Sequence, residues 1–299
     1  MKILITGSNG LLGQKLLHQL RIDNTVELIA TSKGENRVSE QNGYTYFDLD
    51  ITNNDAVAKL IASEKPQVVI NTAAMTNVDL CEYEKQACNA LNVEAVRCLA
   101  DACKKVDAHL IQISTDFIFD GEDGPYTEED KPNPLSYYGL SKLKSEQILQ
   151  AHNVKWTVLR TIIVFGVGER LSKGNIVLWA KGALEKGDPL NIIDDQFRAP
   201  TLAEDLADIC ILAAKKKAFG IFNASGKDIM SIYEIVERIA KHYGNSTDNL
   251  NKISTATLKQ KAGRPPKTGF ILDKSRKELG YNPHSFEECL TIIDNQLKQ

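Results

Sequence analysis

Tyr138 and Lys142 stand four residues apart in Tyr138-Gly139-Leu140-Ser141-Lys142. On a helix that spacing puts both side chains on one face. A lysine ammonium beside a phenol favours the phenolate and lowers its pKa. A tyrosine tuned this way can deliver a proton to a carbonyl oxygen as hydride arrives at the carbon. Thr115, just past the apolar run Leu110–Ser114, can donate a further hydrogen bond to that carbonyl. Taken alone, Tyr-x-x-x-Lys also suits an ordinary amphipathic helix, so the chemistry depends on what converges with it.

A hydride has to come from a bound donor, and the N-terminus offers a place for one. Gly7-Ser8-Asn9-Gly10-Leu11-Leu12-Gly13 follows the apolar run Lys2–Thr6. Strand, glycine-rich turn and helix in that order leave free N–H groups and a positive dipole end for a pyrophosphate. The glycines permit the tight turn and the close approach. The spacing G-x-x-G-x-x-G differs from the commoner G-x-G-x-x-G, and a purely structural strand–turn–helix shares it. In the nucleotide reading, Lys142 can also hold a nicotinamide ribose. NAD selection uses a carboxylate near the end of the second strand. Here that region reads Ala30-Thr31-Ser32-Lys33, with no acid before Glu35. Ser32 and Lys33 could accept a 2′-phosphate, so NADPH is the expected cofactor and NADH the alternative.

The elements that position these residues alternate along the first half. Strands are predicted at Val26–Ala30, Tyr44–Leu49, Gln67–Thr72, His109–Ser114 and Trp156–Val164. Helical patterns cover Asn54–Ser63, Glu82–Lys105 and Tyr137–Ala151. Such alternation implies a parallel sheet covered on both faces, with ligands at the carboxyl ends of its strands. The second half is less regular, with a helix over Thr201–Lys217 and a strand at Gly220–Asn223. A capping box at Ser231–Glu234 opens a helix to His242. The expected fold is α/β, a Rossmann-type doubly wound parallel sheet with a smaller C-terminal α/β lobe. Residues 1–165, with a return of 200–220, form the dinucleotide-binding part in this reading, and 166–299 mainly the substrate lobe.

Composition excludes several classes. The 299 residues are 42% hydrophobic and 25% charged, ordinary for a soluble domain. A net charge of −3 argues against a nucleic-acid partner, and no apolar run is long enough to span a membrane. The N-terminal apolar run breaks into a glycine turn rather than a cleavage site, so a cytoplasmic protein is expected. The six cysteines form no C-x-x-C pair and no histidine stands at ligand spacing from them. Reduced thiols and no metal are the expectation.

Together these residues resemble the extended branch of the short-chain dehydrogenases/reductases. Longer segments resemble the dTDP-4-dehydrorhamnose reductase family more specifically. They are Asn71-Thr72-Ala73-Ala74-Met75-Thr76-Asn77-Val78-Asp79, Ser114-Thr115-Asp116-Phe117-Ile118-Phe119-Asp120-Gly121, Pro134 to Gly139, and Asp195-Gln196-Phe197-Arg198-Ala199-Pro200-Thr201. Arg264-Pro265 and Leu272-Asp273-Lys274-Ser275 extend the likeness over nearly the whole chain. The resemblance implies NAD(P)H-dependent reduction of the 4-keto group of a dTDP-deoxyhexose, so the partner is a nucleotide sugar. It places Thr115, Tyr138 and Lys142 at the catalytic positions, with Asn92 supporting the lysine. Gly7, Asn9, Gly10, Leu11, Leu12 and Gly13 match the pyrophosphate loop, Asp50 and Ile51 the adenine contact. Ala73, Ala74 and Thr76 match the segment under the cofactor. Val78, Asp116, Phe117 and Gln196 fall where family members face the sugar nucleotide.

Two departures bear on substrate. Phe117 stands where the family often has Tyr, and Ile163 where it often has Trp. The second change removes an aromatic wall from the expected sugar pocket and implies looser selectivity. The regulatory β subunit of methionine adenosyltransferase resembles the same motifs and also lacks that tryptophan, so a non-catalytic NADP-binding subunit is the rival reading. A reductase or epimerase of another nucleotide sugar is the third. A homodimer is the assembly to be tested; the sequence itself specifies none.

Overall fold

The computed structural model describes residues 1–172, 174–258 and 260–298. Its centre is a seven-stranded, wholly parallel sheet. The strands are β1 (Lys2–Thr6), β2 (Glu27–Ser32), β3 (Thr45–Asp48), β4 (Val68–Asn71), β5 (His109–Thr115), β6 (Lys155–Thr161) and, after a long excursion, Gly220–Asn223. Their spatial order is Gly220–Asn223, β6, β5, β4, β1, β2, β3. The order reverses between β1 and β4, which is where a doubly wound sheet opens a crevice for a ligand. Thr6 pairs with Asn71 across that point, and Asn71 with Gln112 on β5, so the carboxyl ends line up.

Alternation along each strand feeds two apolar layers. Ile3, Ile5, Ile70 and Ile111 face helices α1 (Leu11–Leu20) and Ala203–Lys216. Leu4, Val69, Leu110 and Val158 face α2 (Asn54–Glu64) and the helix Ala95–Lys105. The sheet is thus buried on both sides, as its continuous Val/Ile/Leu runs require. A third apolar cluster lies in the C-terminal half. There Phe165, Val177, Ile235 and Leu290 pack helices Ile176–Lys186, Ile232–Tyr243 and Phe286–Leu297 together. Capping boxes at Ser231–Glu234 and Ser285–Glu288 start the last two of these helices.

Three expected elements differ. The continuous helix over Glu82–Lys105 is broken. Helices α3 (Val78–Tyr83) and α4 (Lys85–Asn89) meet at Glu84, whose φ/ψ of −109°/53° interrupts the helical path. A π-turn over Ala90–Glu94 then leads into α5 (Ala95–Lys105). The strand expected over Trp156–Val164 stops at Thr161, because Ile163 takes φ +35°, and Val164–Phe165 pairs instead with Thr201–Leu202. That pairing also delays the helix expected from Thr201 to Ala203.

Among the described residues, no group of three or more His, Cys, Asp or Glu could hold a metal. No helix there is long and apolar enough to cross a membrane. All six cysteines are free thiols.

Candidate active site

The glycine loop is shaped by close backbone approach. Gly7 has φ +66°, and a Cβ there would lie 2.8 Å from the Ala73 nitrogen, against the strand that flanks β1 across the switch point. A Cβ on Gly13 would lie 2.5 Å from the Gly7 carbonyl oxygen. Side chains at either position would fill the turn. Gly10 caps α1 without any side-chain hydrogen bond, so no side chain of the N-cap satisfies the first-turn N–H groups where Leu11, Leu12 and Gly13 lie. Asn9 acts differently from its neighbours. Its side chain donates to the Glu35 carbonyl (2.8 Å) and accepts from the Arg37 N–H (2.8 Å), tying the loop to the segment after β2.

That segment holds the candidate adenosine end. Ser32 closes β2 and is half-buried, while Lys33 is exposed and paired with Asp50 at 2.8 Å. The structure therefore joins two residues that the sequence placed at separate contacts. Lys33 and Thr52 hold the Asp50 carboxyl down to about 2. Ile51 is buried in the core beneath. Arg37, which sequence reasoning missed, is half-buried beside Asn9, and its guanidinium has no acidic partner within 4 Å among the described residues. Ala73 and Ala74 are half-buried above β4, and Thr76 is exposed.

Helix α6 (Tyr137–Ala151) carries the candidate catalytic pair. Ser136 caps it by accepting from the Gly139 N–H. Gly139 is required: a Cβ there would lie 2.0 Å from the Phe117 carbonyl oxygen. The helix therefore rests on the strand-end turn that holds Thr115 and Phe117. Tyr138 and Lys142 are both buried, at 9% and 3% exposure, one turn apart. The Tyr138 ring meets Phe117 edge-on at 5.8 Å and packs with Cys81 and Cys88. Burial pushes the phenol well above its ordinary range, against an opposing pull from the Thr115 side chain. The expectation that Lys142 lowers the phenol pKa is thus overturned: desolvation dominates. Burial also pulls Lys142 down to about 8, opposed by the charge of Glu146 one turn below. Glu146 is itself gripped by Arg160 (2.8 Å) and by the Ser114 hydroxyl.

Asn92 sits in the π-turn and serves as a brace. It accepts from the Met75 N–H (2.8 Å) and donates to the Met75 carbonyl (3.0 Å) and to Ser141 Oγ (3.0 Å). Ser141 precedes Lys142 and donates to the Tyr138 carbonyl (2.7 Å). The brace ties the segment after β4 to the turn of α6 between Tyr138 and Lys142. Such π-turns recur at functional sites.

The residues expected at the sugar divide. Val78 and Phe117 are half-buried and pack around Tyr138. Ile163 is half-buried against the central core in its left-handed conformation, an unfavourable one for a β-branched residue. Asp116 and Gln196 are buried and engaged. Both Asp116 oxygens accept hydrogen bonds, from Thr115 (3.0 Å) and Thr268 (2.6 Å). Gln196 donates to Thr255 Oγ1 (3.0 Å) and accepts from Arg198 (3.4 Å). Arg264 clamps the segment around it onto α3 through Asp79 at 2.6 Å.

Comparison with known proteins places the chain in a family. The RmlD substrate binding domain family matches residues 1–298. A dTDP-4-dehydrorhamnose reductase of Aggregatibacter actinomycetemcomitans is 32% identical over 98% of each chain. Methionine adenosyltransferase 2 subunit beta of Bos taurus is 31% identical over 93% of this chain and 81% of its own. Among solved structures, a dTDP-4-dehydrorhamnose reductase of Clostridium acetobutylicum superposes with a TM-score of 0.88 at 34% identity, covering all of both chains. One from Bacillus anthracis, in complex with NADP, gives 0.84 at 26% identity over 99% of each. With a match that runs from the glycine loop through the Tyr138–Lys142 helix to the last helix, the chain belongs to the RmlD substrate binding domain family.

Proposed function

We propose that this protein reduces the 4-keto group of a dTDP-linked 4-keto-6-deoxy sugar, dTDP-4-dehydro-L-rhamnose to dTDP-L-rhamnose, with NADPH. The observation that carries the reading is the convergence of buried Tyr138 and Lys142 with Thr115 at the carboxyl edge of the sheet, beside the glycine cradle. The reductase relatives and the NADP complex of one of them support it. The turn suits a dinucleotide: Gly7 and Gly13 let it pack as bare backbone against Ala73 and against itself, and no N-cap side chain closes the start of α1. Bound there, NADPH supplies the hydride that reaches the carbonyl carbon. Tyr138 Oη gives its proton to the carbonyl oxygen. Lys142 follows one helical turn later, and Asn92 holds the turn that carries both through Ser141. In this reading residues 1–165, with 200–220, hold the cofactor and 166–299 mainly the sugar nucleotide. Oxidation of NADPH by the purified protein on a panel of nucleotide-linked 4-keto sugars tests it.

A second reading is favoured by the bovine relative, which is a subunit of methionine adenosyltransferase 2. There the protein binds NADP and regulates a partner without turnover. Clear NADPH binding with no oxidation on any sugar of the panel selects this reading over the first.

Cofactor choice is tested separately. NADPH is expected to bind roughly tenfold more tightly than NADH, the worth of a charge-assisted hydrogen bond to a 2′-phosphate. Ser32, Lys33 and Arg37 are the donors, and Lys33 can turn from Asp50 to a phosphate because it is exposed. Ser32→Asp with Lys33→Ala should reverse the order in calorimetry. Equal affinities in the unmodified protein defeat the assignment.

A further inference from the structure

Residues 33–39, directly after β2, form neither strand nor helix. Backbone groups without a ladder partner need another, and side chains from neighbouring elements supply it. Tyr46 and Asp48 stand two apart on β3, so they share a face. Both meet Gly34: Asp48 Oδ1 accepts from its N–H at 2.7 Å, and Tyr46 Oη donates to its carbonyl at 2.6 Å. The Ser32 carbonyl lies 3.1 Å from the same hydroxyl. Gly34 takes φ +82°, the left-handed turn that this pinch requires. Asn9 grips the next stretch from the glycine loop. Its amide donates to the Glu35 carbonyl and accepts from the Arg37 N–H, at 2.8 Å each. A carbonyl only accepts and an N–H only donates, so both ends of the amide are committed in one orientation. Asn9 Nδ2 also reaches Tyr46 Oη at 3.5 Å, which joins the two grips. At the far end Val38 is buried in the core, and the Ser39 N–H donates to Glu169 Oε2 at 2.7 Å.

We infer that Asn9 and Tyr46 are positioning residues for cofactor choice: together they hold residues 32–37 in the one shape that presents Ser32, Lys33 and Arg37 to a ribose 2′-phosphate. The inference rests on the NADPH reading above. Among the described residues, the Asn9 amide and the Tyr46 hydroxyl bond only to this loop and to each other. Their polar atoms are spent on its shape, which leaves the phosphate to the three donors. Donors on a loose loop would have to be ordered as the cofactor binds, and that cost comes out of the affinity. Here folding orders them first. The place of Asn9 adds a second consequence. It stands just before Gly10, the N-cap of α1. The turn offered to the pyrophosphate and the loop offered to the ribose phosphate are therefore one braced piece, with the spacing between them set in advance.

The test is calorimetric binding and needs no turnover, so it stands whether or not the protein reduces a sugar. It reads the ratio of affinities within two pairs of ligands: NADPH against NADH, and 2′,5′-ADP against 5′-AMP. Each pair differs only in the 2′-phosphate, so the ratio cancels whatever its members share. Tyr46→Phe keeps the ring, which packs on the central core, and removes the hydroxyl. It should lower both ratios about fivefold, the worth of one hydrogen bond, with the affinities for NADH and 5′-AMP unchanged. Asn9→Ala removes both ties to Glu35 and Arg37 and should bring both ratios close to one. Equal losses for the two members of a pair mean a merely structural role and overturn the inference. A fall in the NADPH ratio without a fall in the 2′,5′-ADP ratio places the effect elsewhere on the cofactor and overturns it too. A parent that does not discriminate within either pair defeats the NADPH reading and the inference together. A parent that discriminates, with ratios that survive both variants, defeats the inference alone.

Discussion

Tyr138→Phe should lower kcat for ketone reduction roughly 10²–10⁴-fold, the usual contribution of a general acid, and leave NADPH affinity unchanged. The ring is almost fully buried, edge-on to Phe117 and packed with Cys81 and Cys88. Phe fills that space and keeps those contacts, so only Oη and its proton are lost. The direction of the pKa shift sharpens the expectation. Burial holds the phenol protonated throughout the neutral range. A protonated phenol suits an acid, and ketone reduction needs an acid. The reverse oxidation needs the phenolate and should run only at distinctly higher pH. Steady-state kinetics with dTDP-4-dehydro-L-rhamnose, beside calorimetry with NADPH, give both readouts. Full turnover in the variant removes Tyr138 from the proton-donor role.

How much of this was legible in the sequence depends on whether local pattern or distant partners decide a residue's fate. Helix α6 and the strand Gly220–Asn223 lie at the bounds the pattern predicts, because periodicity and flanking turn residues define them locally. The break between α3 and α5 does not show in the periodicity. It is made by one non-helical residue, Glu84, and by the π-turn in which Asn92 reaches across to Met75 and Ser141. Positive φ at Ile163 runs against the preference of a β-branched side chain and has no local signal.

The site divides in the same way. Tyr138, Lys142 and the glycines are visible because spacing on one element carries their meaning. Asp116 and Thr268 are 152 residues apart, and nothing near Asp116 announces this partner. Asn9 likewise looks like a phosphate-loop residue, yet its amide is spent on the backbone at Glu35 and Arg37. Residue type and spacing nominate residues for the candidate site; hydrogen-bond partners decide what each can do there.

Lys142→Met should make the protein more stable and nearly inactive at once. The ammonium is buried at 3% exposure, and burial pulls its pKa from the ordinary lysine value down to about 8. The Glu146 charge opposes that pull without cancelling it, being itself committed to Arg160. Below pH 8 the lysine is charged in both folded and unfolded chains, so the full burial penalty falls on the folded state. At about 1.4 kcal/mol per pKa unit, that penalty is on the order of 3 kcal/mol. Between pH 8 and the unfolded value the unfolded chain binds more protons, so stability of the parent rises with pH through that window. Met keeps the length of the side chain and removes the charge. Denaturant unfolding should therefore show the variant ahead of the parent at pH 7, with the gap closing by pH 10. Kinetics should show the opposite: kcat and NADPH affinity both fall, unlike Tyr138→Phe, which lowers kcat alone. In the parent, kcat should decline as pH rises through about 8 and the ammonium is lost. A Met variant no more stable than the parent at pH 7, with a gap that does not move with pH, would show that the buried charge carries no penalty. The trade is the one expected where a site is kept poised at the expense of the fold.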